Sequence, residues 1–136
     1  MRILLVPQVY TEAKLQYRFE GEKIIATALD KKQNVIATDE FDFTEFGDGE
    51  LQLHDEFGNR TIETALPFQV ILSAKRENGV LSVELLNFLA NSADATPLER
   101  FPEWFDSAEY DGYLQRIFIE RLKMEEEKNG ENEVEG

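Results

Sequence analysis

A two-residue turn signal constrains this chain more than any other feature of its sequence. In the segment "VILSAKRENGVLSVELLNFL", Asn78-Gly79 separates two runs in which apolar and polar residues alternate. Asn-Gly is a preferred pair for a type I′ hairpin turn, because both residues tolerate positive φ. The sequence therefore predicts a β-hairpin in this segment. Its apolar alternation consists of Val70, Leu72 and Ala74 on the first strand and Leu81, Val83 and Leu85 on the second.

Period-two alternation predicts further strands in the N-terminal half of the chain. The runs cover residues 2–9, 14–20, 24–29 and 35–43, and short polar or glycine-containing turns separate most of them. Pro7 lies in the first run and favours an edge position or a strand end, because proline donates no hydrogen bond to a neighbouring strand. No helical pattern lies between these strands, so hairpin connections and antiparallel pairing are expected.

The pattern changes to a helical period in the C-terminal part of the chain. Apolar residues from Tyr110 to Leu122 recur at spacings of three and four, which predicts a helix over residues 107–128. Asp106 or Ser107 is the expected N-cap. The polar and acidic segment "NGENEVEG", residues 129–136, is expected to be disordered.

Strands followed by one helix predict an α+β, mainly β fold. We expect an antiparallel hairpin-linked sheet or small sandwich. The expected organisation is a β-rich domain over residues 1–105 that includes an aromatic closing segment, an amphipathic helix over residues 106–128 and the acidic tail.

The sequence contains no recognisable reaction centre. It has no cysteine and one histidine, His54, and it lacks a nucleophile-elbow motif, a phosphate-binding loop and a calcium-loop spacing. We therefore expect no enzymatic activity, no cofactor and no metal site. A signal peptide and a segment of about 20 apolar residues are also missing, which predicts a soluble protein with no membrane partner.

Acidic residues dominate the charge of this chain. Its formal net charge is −14, and direct binding to nucleic acid is not expected, because phosphate contacts require clustered lysine and arginine. No basic residue lies between Lys32 and Arg60. This interval is interpreted either as a solvated face or as an acidic surface that mimics nucleic acid. The residues of that surface are Asp39, Glu40, Asp42, Glu45, Asp48 and Glu50.

The aromatic segment "ERFPEWFDSAEY", residues 99–110, allows two interpretations. Its rings could close the core over an open face of the sheet, or they could form an exposed anchor for another protein. The helix that follows has the same ambiguity, because it could pack on its own sheet, on a second copy or on a different protein. The candidate protein-binding residues are Phe101, Trp104, Phe105, Tyr110, Leu114, Ile117, Phe118 and Leu122.

Several segments resemble a group of small proteins encoded in the tail-gene clusters of tailed phages and prophages of Gram-positive bacteria. They are "LQYRFEGEKIIATALD", "FDFTEFGDGE", "IETALPFQVILSAKRENGVLSVELLNFL" and "FPEWF", and the resemblance covers roughly residues 1–105. It implies a role in virion assembly or as a tail accessory, and it brings no catalytic residues. The helix and tail from about Asp106 onward extend beyond the resemblance.

Two functions are therefore expected for this chain. The first is a non-enzymatic phage protein that binds another phage structural protein or itself, located in the host cytoplasm or incorporated in the virion. The alternative is an acidic inhibitor of a nucleic-acid-binding host defence protein.

Overall fold

A computed structural model describes residues 1–54 and 56–135 of the chain, with side chains described as far as Lys128. The chain forms two β-sheets, one short helix and one long C-terminal helix, which confirms the predicted α+β, mainly β class. The elements are β1 (Arg2–Val9), β2 (Ala13–Glu20), β3 (Lys23–Asp30), β4 (Val35–Asp42), β5 (Gly49–Glu50), β6 (Ile71–Glu77), β7 (Val80–Leu89), α1 (Pro97–Arg100), β8 (Phe105–Asp106), a 3₁₀ turn (Ser107–Glu109) and α2 (Tyr110–Glu135).

The smaller sheet is an antiparallel meander of β2, β3 and β4. Gly21, at a φ of 60°, and Glu22 form the two-residue turn between β2 and β3. The second turn is closed by Asp30, whose Oδ1 accepts hydrogen bonds from the backbone N–H groups of Lys32 and Asn34 at 2.8 and 2.9 Å. Both turns are encoded locally, so this sheet follows the sequence prediction.

The larger sheet has the order β5-β6-β7-β1-β8. It contains the predicted hairpin of β6 and β7, in which Asn78 and Gly79 have φ values of 52° and 80°. However, β1 and β7 pair in parallel over eight residues, from Arg2 opposite Ser82 to Val9 opposite Leu89. The expectation of antiparallel pairing throughout is thus wrong for this pair. The connection between the two strands is not a crossover helix, because the whole smaller sheet and β5 and β6 lie between them in the chain.

Pro7 lies on an open edge of the larger sheet, as predicted. The N–H of Tyr10 donates to the carbonyl of Leu89 in the β7 direction, whereas the N–H of Ser107 donates to the carbonyl of Met1 on the opposite side. Odd-numbered residues of β1 therefore direct their backbone groups away from β7. Among the described residues, β8 pairs with Arg2 and Ile3 and no strand lies beside Pro7 on that side, so the missing N–H of proline costs no hydrogen bond between strands.

The hydrophobic core lies between the two sheets and extends to α2. Alternate residues of β1, β7, β2 and β3 point into it, because successive strand side chains face opposite sides. Phe105 and Tyr113 belong to the same cluster, so the β-rich segment and the C-terminal helix share one core. Its members include Ile3, Leu5, Tyr17, Ile24, Ala26, Phe41, Leu81, Val83 and Leu85.

Helix α2 begins beside β2, which is an edge strand of the smaller sheet. The ring of Phe19 packs edge-on against the ring of Tyr110 at 5.1 Å between centroids. Asp106 caps the preceding 3₁₀ turn by accepting a hydrogen bond from the N–H of Ala108 at 2.9 Å, which confirms one of the two predicted N-caps.

The C-terminal end of α2 differs from the predicted end near residue 128, since the helix is assigned to Glu135. The side chains of residues 129–135, and Gly136 as a whole, lie outside the described part of the chain. The disordered acidic tail over residues 129–136 stays a prediction.

Candidate protein-binding surface

The aromatic segment between α1 and α2 begins at a capped helical turn. Thr96 is fully buried, its hydroxyl accepts a hydrogen bond from the N–H of Glu99, and the Glu99 carboxylate accepts one from the N–H of Thr96. This capping box, followed by Pro97, explains why a short polar stretch forms helix α1 at this point. The same Glu99 carboxylate also pairs with Arg121, which ties α1 to α2.

Three of the eight candidate protein-binding residues pack in the core. Phe105 is buried and stacks on Tyr113, with 4.3 Å between ring centroids. Tyr110 and Ile117 are partly buried against the same cluster. Burial of the Tyr110 hydroxyl raises its pKa. For Phe105, Tyr110 and Ile117, the structure therefore favours the core-closing interpretation.

Phe101 and Trp104 remain at the surface. Phe101 is 74% exposed and Trp104 is 41% exposed. The guanidinium carbon of Arg2 lies 4.8 Å from the centre of the Trp104 ring, in the geometry of a cation–π contact. Both residues precede β8 in the chain, and neither belongs to the core cluster.

The remaining three candidates, Leu114, Phe118 and Leu122, form an exposed row on α2. Their spacing of four residues places them on one face of the helix, and Ile119 adjoins them one turn from Leu122. The sequence prediction did not include Ile119 among the binding residues. We refer to Leu114, Phe118, Ile119 and Leu122 as the free stripe, in which each side chain is between 41% and 53% exposed.

The predicted apolar face of α2 is thus divided into two rows. Tyr110, Tyr113 and Ile117 form the packed row, and the free stripe lies beside it. A helix packed on one side buries only an arc of its circumference, so a wider apolar face leaves part of its residues in water. The sequence predicted the apolar face, but it did not indicate where the packed arc ends.

The loop that carries Phe101 and Trp104 contacts α2 at Arg116 and Tyr113, whereas Phe118 lies on another side of the helix. Glu103, which precedes Trp104, forms an ion pair of 2.6 Å with Arg116 and donates its N–H to the hydroxyl of Tyr113. Two residues of an α-helix rotate by about 200°, so Arg116 and Phe118 lie on nearly opposite sides of the helix. The eight predicted residues therefore do not form one continuous surface.

Three of the six acidic candidates lie on β4, one lies on β5 and Glu45 and Asp48 lie in the loop between these strands, and most of the six contact other residues of the chain. Asp39 accepts a hydrogen bond from the N–H of Ala65 at 2.9 Å, and Asp42 accepts one from the N–H of Thr44 at 3.0 Å. Hydrogen bonds from Thr44 lower the pKa of Asp42. The other contacts are Glu40 with Lys23, Asp48 with the N–H of Gly79, and Glu50 with Lys75, whereas Glu45 is exposed.

Among the side chains that the structure describes, no group of three or more His, Cys, Asp or Glu residues is placed to hold a metal ion. His54 is exposed and lies in an isolated bridge opposite Arg60. Within the described residues, no helix combines the length and the apolar composition needed to cross a membrane.

Comparisons with protein-family models, with curated proteins and with solved structures find no match for this chain. The free stripe therefore has to be interpreted from its own geometry and charge.

Proposed function

We propose that this chain is a non-enzymatic interaction protein of a tailed phage or prophage, which acts in tail assembly or as a tail accessory and docks through the free stripe. The interaction role rests on one observation about α2, which packs into the core on one side and exposes large apolar residues on the neighbouring side. One row of its apolar residues joins the core, while four large apolar side chains beside that row stay in water. Contiguous exposed apolar residues of this kind are typical of interaction sites.

The resemblance of residues 1–105 to proteins of phage tail-gene clusters supports the assignment to tail assembly. The free stripe belongs to the C-terminal helix, which lies beyond that resemblance. In this proposal the two sheets form the scaffold, and the helix supplies the contact to a larger structural protein in the host cytoplasm.

A capture experiment from a phage-producing lysate of the source organism tests this function. The full chain carries an N-terminal tag, and the captured proteins are identified by mass spectrometry. Phe118→Ser is compared with the matched control Gln115→Ser, because both positions are exposed on α2. We expect a tail or baseplate protein to be captured by the parent and by Gln115→Ser, and to be lost with Phe118→Ser.

Two outcomes would contradict the proposed function. The first is that Phe118→Ser captures the same structural proteins as the parent. The second is that a host nuclease is captured and is released by salt or by the combined change Asp42→Asn, Glu45→Gln and Asp48→Asn. That second result would favour the acidic inhibitor. The structure gives this alternative less support, because most of its acidic residues already contact other residues of the chain.

A further inference from the structure

We infer that the partner segment that docks on the free stripe is an amphipathic helix whose apolar row is flanked by lysine and arginine. This inference rests on the proposed function, and it adds the chemistry of the partner. It follows from the shape of the stripe and from the charges at its two ends.

The stripe has the dimensions of a helix–helix contact. Leu114, Phe118 and Leu122 are spaced by four residues, so the row extends about 12 Å along α2 at 1.5 Å per residue. A row of this kind matches the apolar residues at positions i, i+3 or i+4 and i+7 of a second helix. A partner of three to four turns is sufficient to cover it.

Carboxylates lie at both ends of the stripe. Asp111 precedes Leu114 by one turn, and Glu125 and Glu126 follow Leu122 by three and four residues. Among the described residues, none of these three carboxylates takes part in an ion pair.

The basic residues of α2 offset these carboxylates only in part, because most of them pair with other acidic residues. Three of the four basic side chains between residues 110 and 128 form ion pairs with acidic residues that precede the helix. The pairs are Arg116 with Glu103, Arg121 with Glu99, and Lys128 with Asp94. Only Lys123 has no such pair in the described part of the chain. The face that carries the stripe is therefore electrostatically complementary to a basic helix.

A second copy of this chain is a poorer match to the stripe. An antiparallel pair of α2 helices centred on Phe118 places Asp111 opposite Glu125 of the other copy, because each lies seven residues from the centre. Two chains of net charge −14 also repel one another. Such a dimer would cover the apolar row, but it would bring carboxylates of the two copies close together at both ends of the row, where they repel one another.

Binding of designed peptides to the full chain tests this inference. The first probe is a fluorescein-labelled amphipathic helix of roughly 18 residues with a leucine row and flanking lysines, and the second has glutamate at every lysine position. Fluorescence anisotropy is measured at low and high salt. We expect the lysine peptide to bind with an affinity that falls as salt rises, and the glutamate peptide to bind about tenfold or more weakly.

Three variants separate apolar docking from simple charge attraction. The combined change Phe118→Ser and Leu122→Ser should lower the affinity for the lysine peptide by about tenfold or more, and it does not change the net charge. The combined change Asp111→Asn, Glu125→Gln and Glu126→Gln should weaken binding and reduce its salt dependence. The matched control Glu56→Gln, Glu63→Gln and Glu77→Gln removes the same charge from exposed positions outside α2 and outside the acidic surface, and it should leave binding unchanged.

The inference is overturned if the lysine peptide binds the serine variant and the parent equally, or if the two sets of charge variants behave alike. A dimer seen by analytical ultracentrifugation and lost with Phe118→Ser would replace the basic helix with a second copy. If the peptide experiments fail but capture of the tail protein still requires Phe118, the partner chemistry is wrong and the proposed function stands. If capture does not require Phe118, the proposed function itself falls.

Discussion

Arg76 and Glu22 join the two sheets through two parallel hydrogen bonds, each 2.9 Å long. Arg76 lies on β6 of the larger sheet, and Glu22 lies in the turn between β2 and β3 of the smaller sheet. The other donors of Arg76 reach the backbone carbonyls of Phe43, Phe46 and Gly79, so all five of its N–H groups are used. The side chain of Arg76 is only 12% exposed. One guanidinium thus connects three separate loops to β6.

Replacement of this guanidinium should destabilise the protein. We expect Arg76→Lys to lower the free energy of unfolding by about 2–4 kcal/mol, because an ammonium group cannot reproduce the planar set of five donors and leaves the partly buried carbonyls of Phe43 and Phe46 without partners. Urea denaturation followed by circular dichroism measures the change. Arg18→Lys is the control: Arg18 forms an exposed ion pair with Glu20, and its replacement should change stability by less than about 0.5 kcal/mol. Equal effects of the two changes would contradict the role of Arg76.

The same contact should make stability depend on pH in the acid range. The hydrogen bond from Arg76 is the largest cause of the lowered pKa of Glu22, whose ordinary value is 4.5. A carboxylate with a lowered pKa in the folded state stabilises the fold above its unfolded pKa, and this contribution is lost as pH falls through the folded pKa. We therefore expect the contribution of Glu22 to the free energy of unfolding to be constant near neutral pH and to decline below about pH 4.5.

Urea denaturation at several pH values between neutral and acid conditions checks this dependence. Glu22→Gln should reduce the loss of stability on acidification, because glutamine has no proton to bind. Glu63→Gln removes an exposed carboxylate and serves as the control. A pH dependence that is unchanged by Glu22→Gln would show that other carboxylates dominate acid unfolding.

The two apolar rows of α2 should respond differently to truncation. Tyr113 stacks on Phe105 and accepts a hydrogen bond from the N–H of Glu103 at 3.2 Å, so Tyr113→Ala should cost about 3 kcal/mol of unfolding free energy. Phe118→Ser, on the free stripe of the same helix, should cost less than about 1 kcal/mol. Thermal unfolding of both variants provides the comparison. Similar losses at the two positions would mean that the stripe also contributes to the core.

The β6–β7 turn should tolerate a side chain at residue 79 poorly. Gly79 has a φ of 80°, and a Cβ at this position would meet no other atom within 4 Å, so the cost of Gly79→Ala comes from the backbone alone. We expect a loss of about 1–2 kcal/mol of unfolding free energy.

Gly47→Ala is the matched control for this turn. A Cβ at residue 47 also has open space, and its φ lies outside the region that disfavours other residues. This change should be neutral or slightly stabilising, because alanine reduces the entropy of the unfolded chain. Equal losses at residues 47 and 79 in chemical denaturation would contradict an origin in backbone strain.

Much of the local structure could be predicted from the sequence. The turn at Asn78-Gly79, the alternation along β2 and the cap at Asp106 depend on residues close together in the chain, and all three are confirmed. The candidate surface was predictable only in part. The helical period identified the apolar residues of α2, yet Phe105, Tyr110 and Ile117 pack in the core and Ile119 joins the free stripe.

The sequence by itself determined the six longer strands, most of their turns and the position of the C-terminal helix, because periodicity and turn chemistry act over a few residues. Only the tertiary structure decided that β1 pairs in parallel with β7, that Arg76 bonds to Glu22, and which arc of α2 is packed. These contacts join residues that are distant in the chain, such as Arg76 and Glu22, 54 positions apart. Which distant groups meet depends on how both sheets pack around one core, and no local pattern records that arrangement.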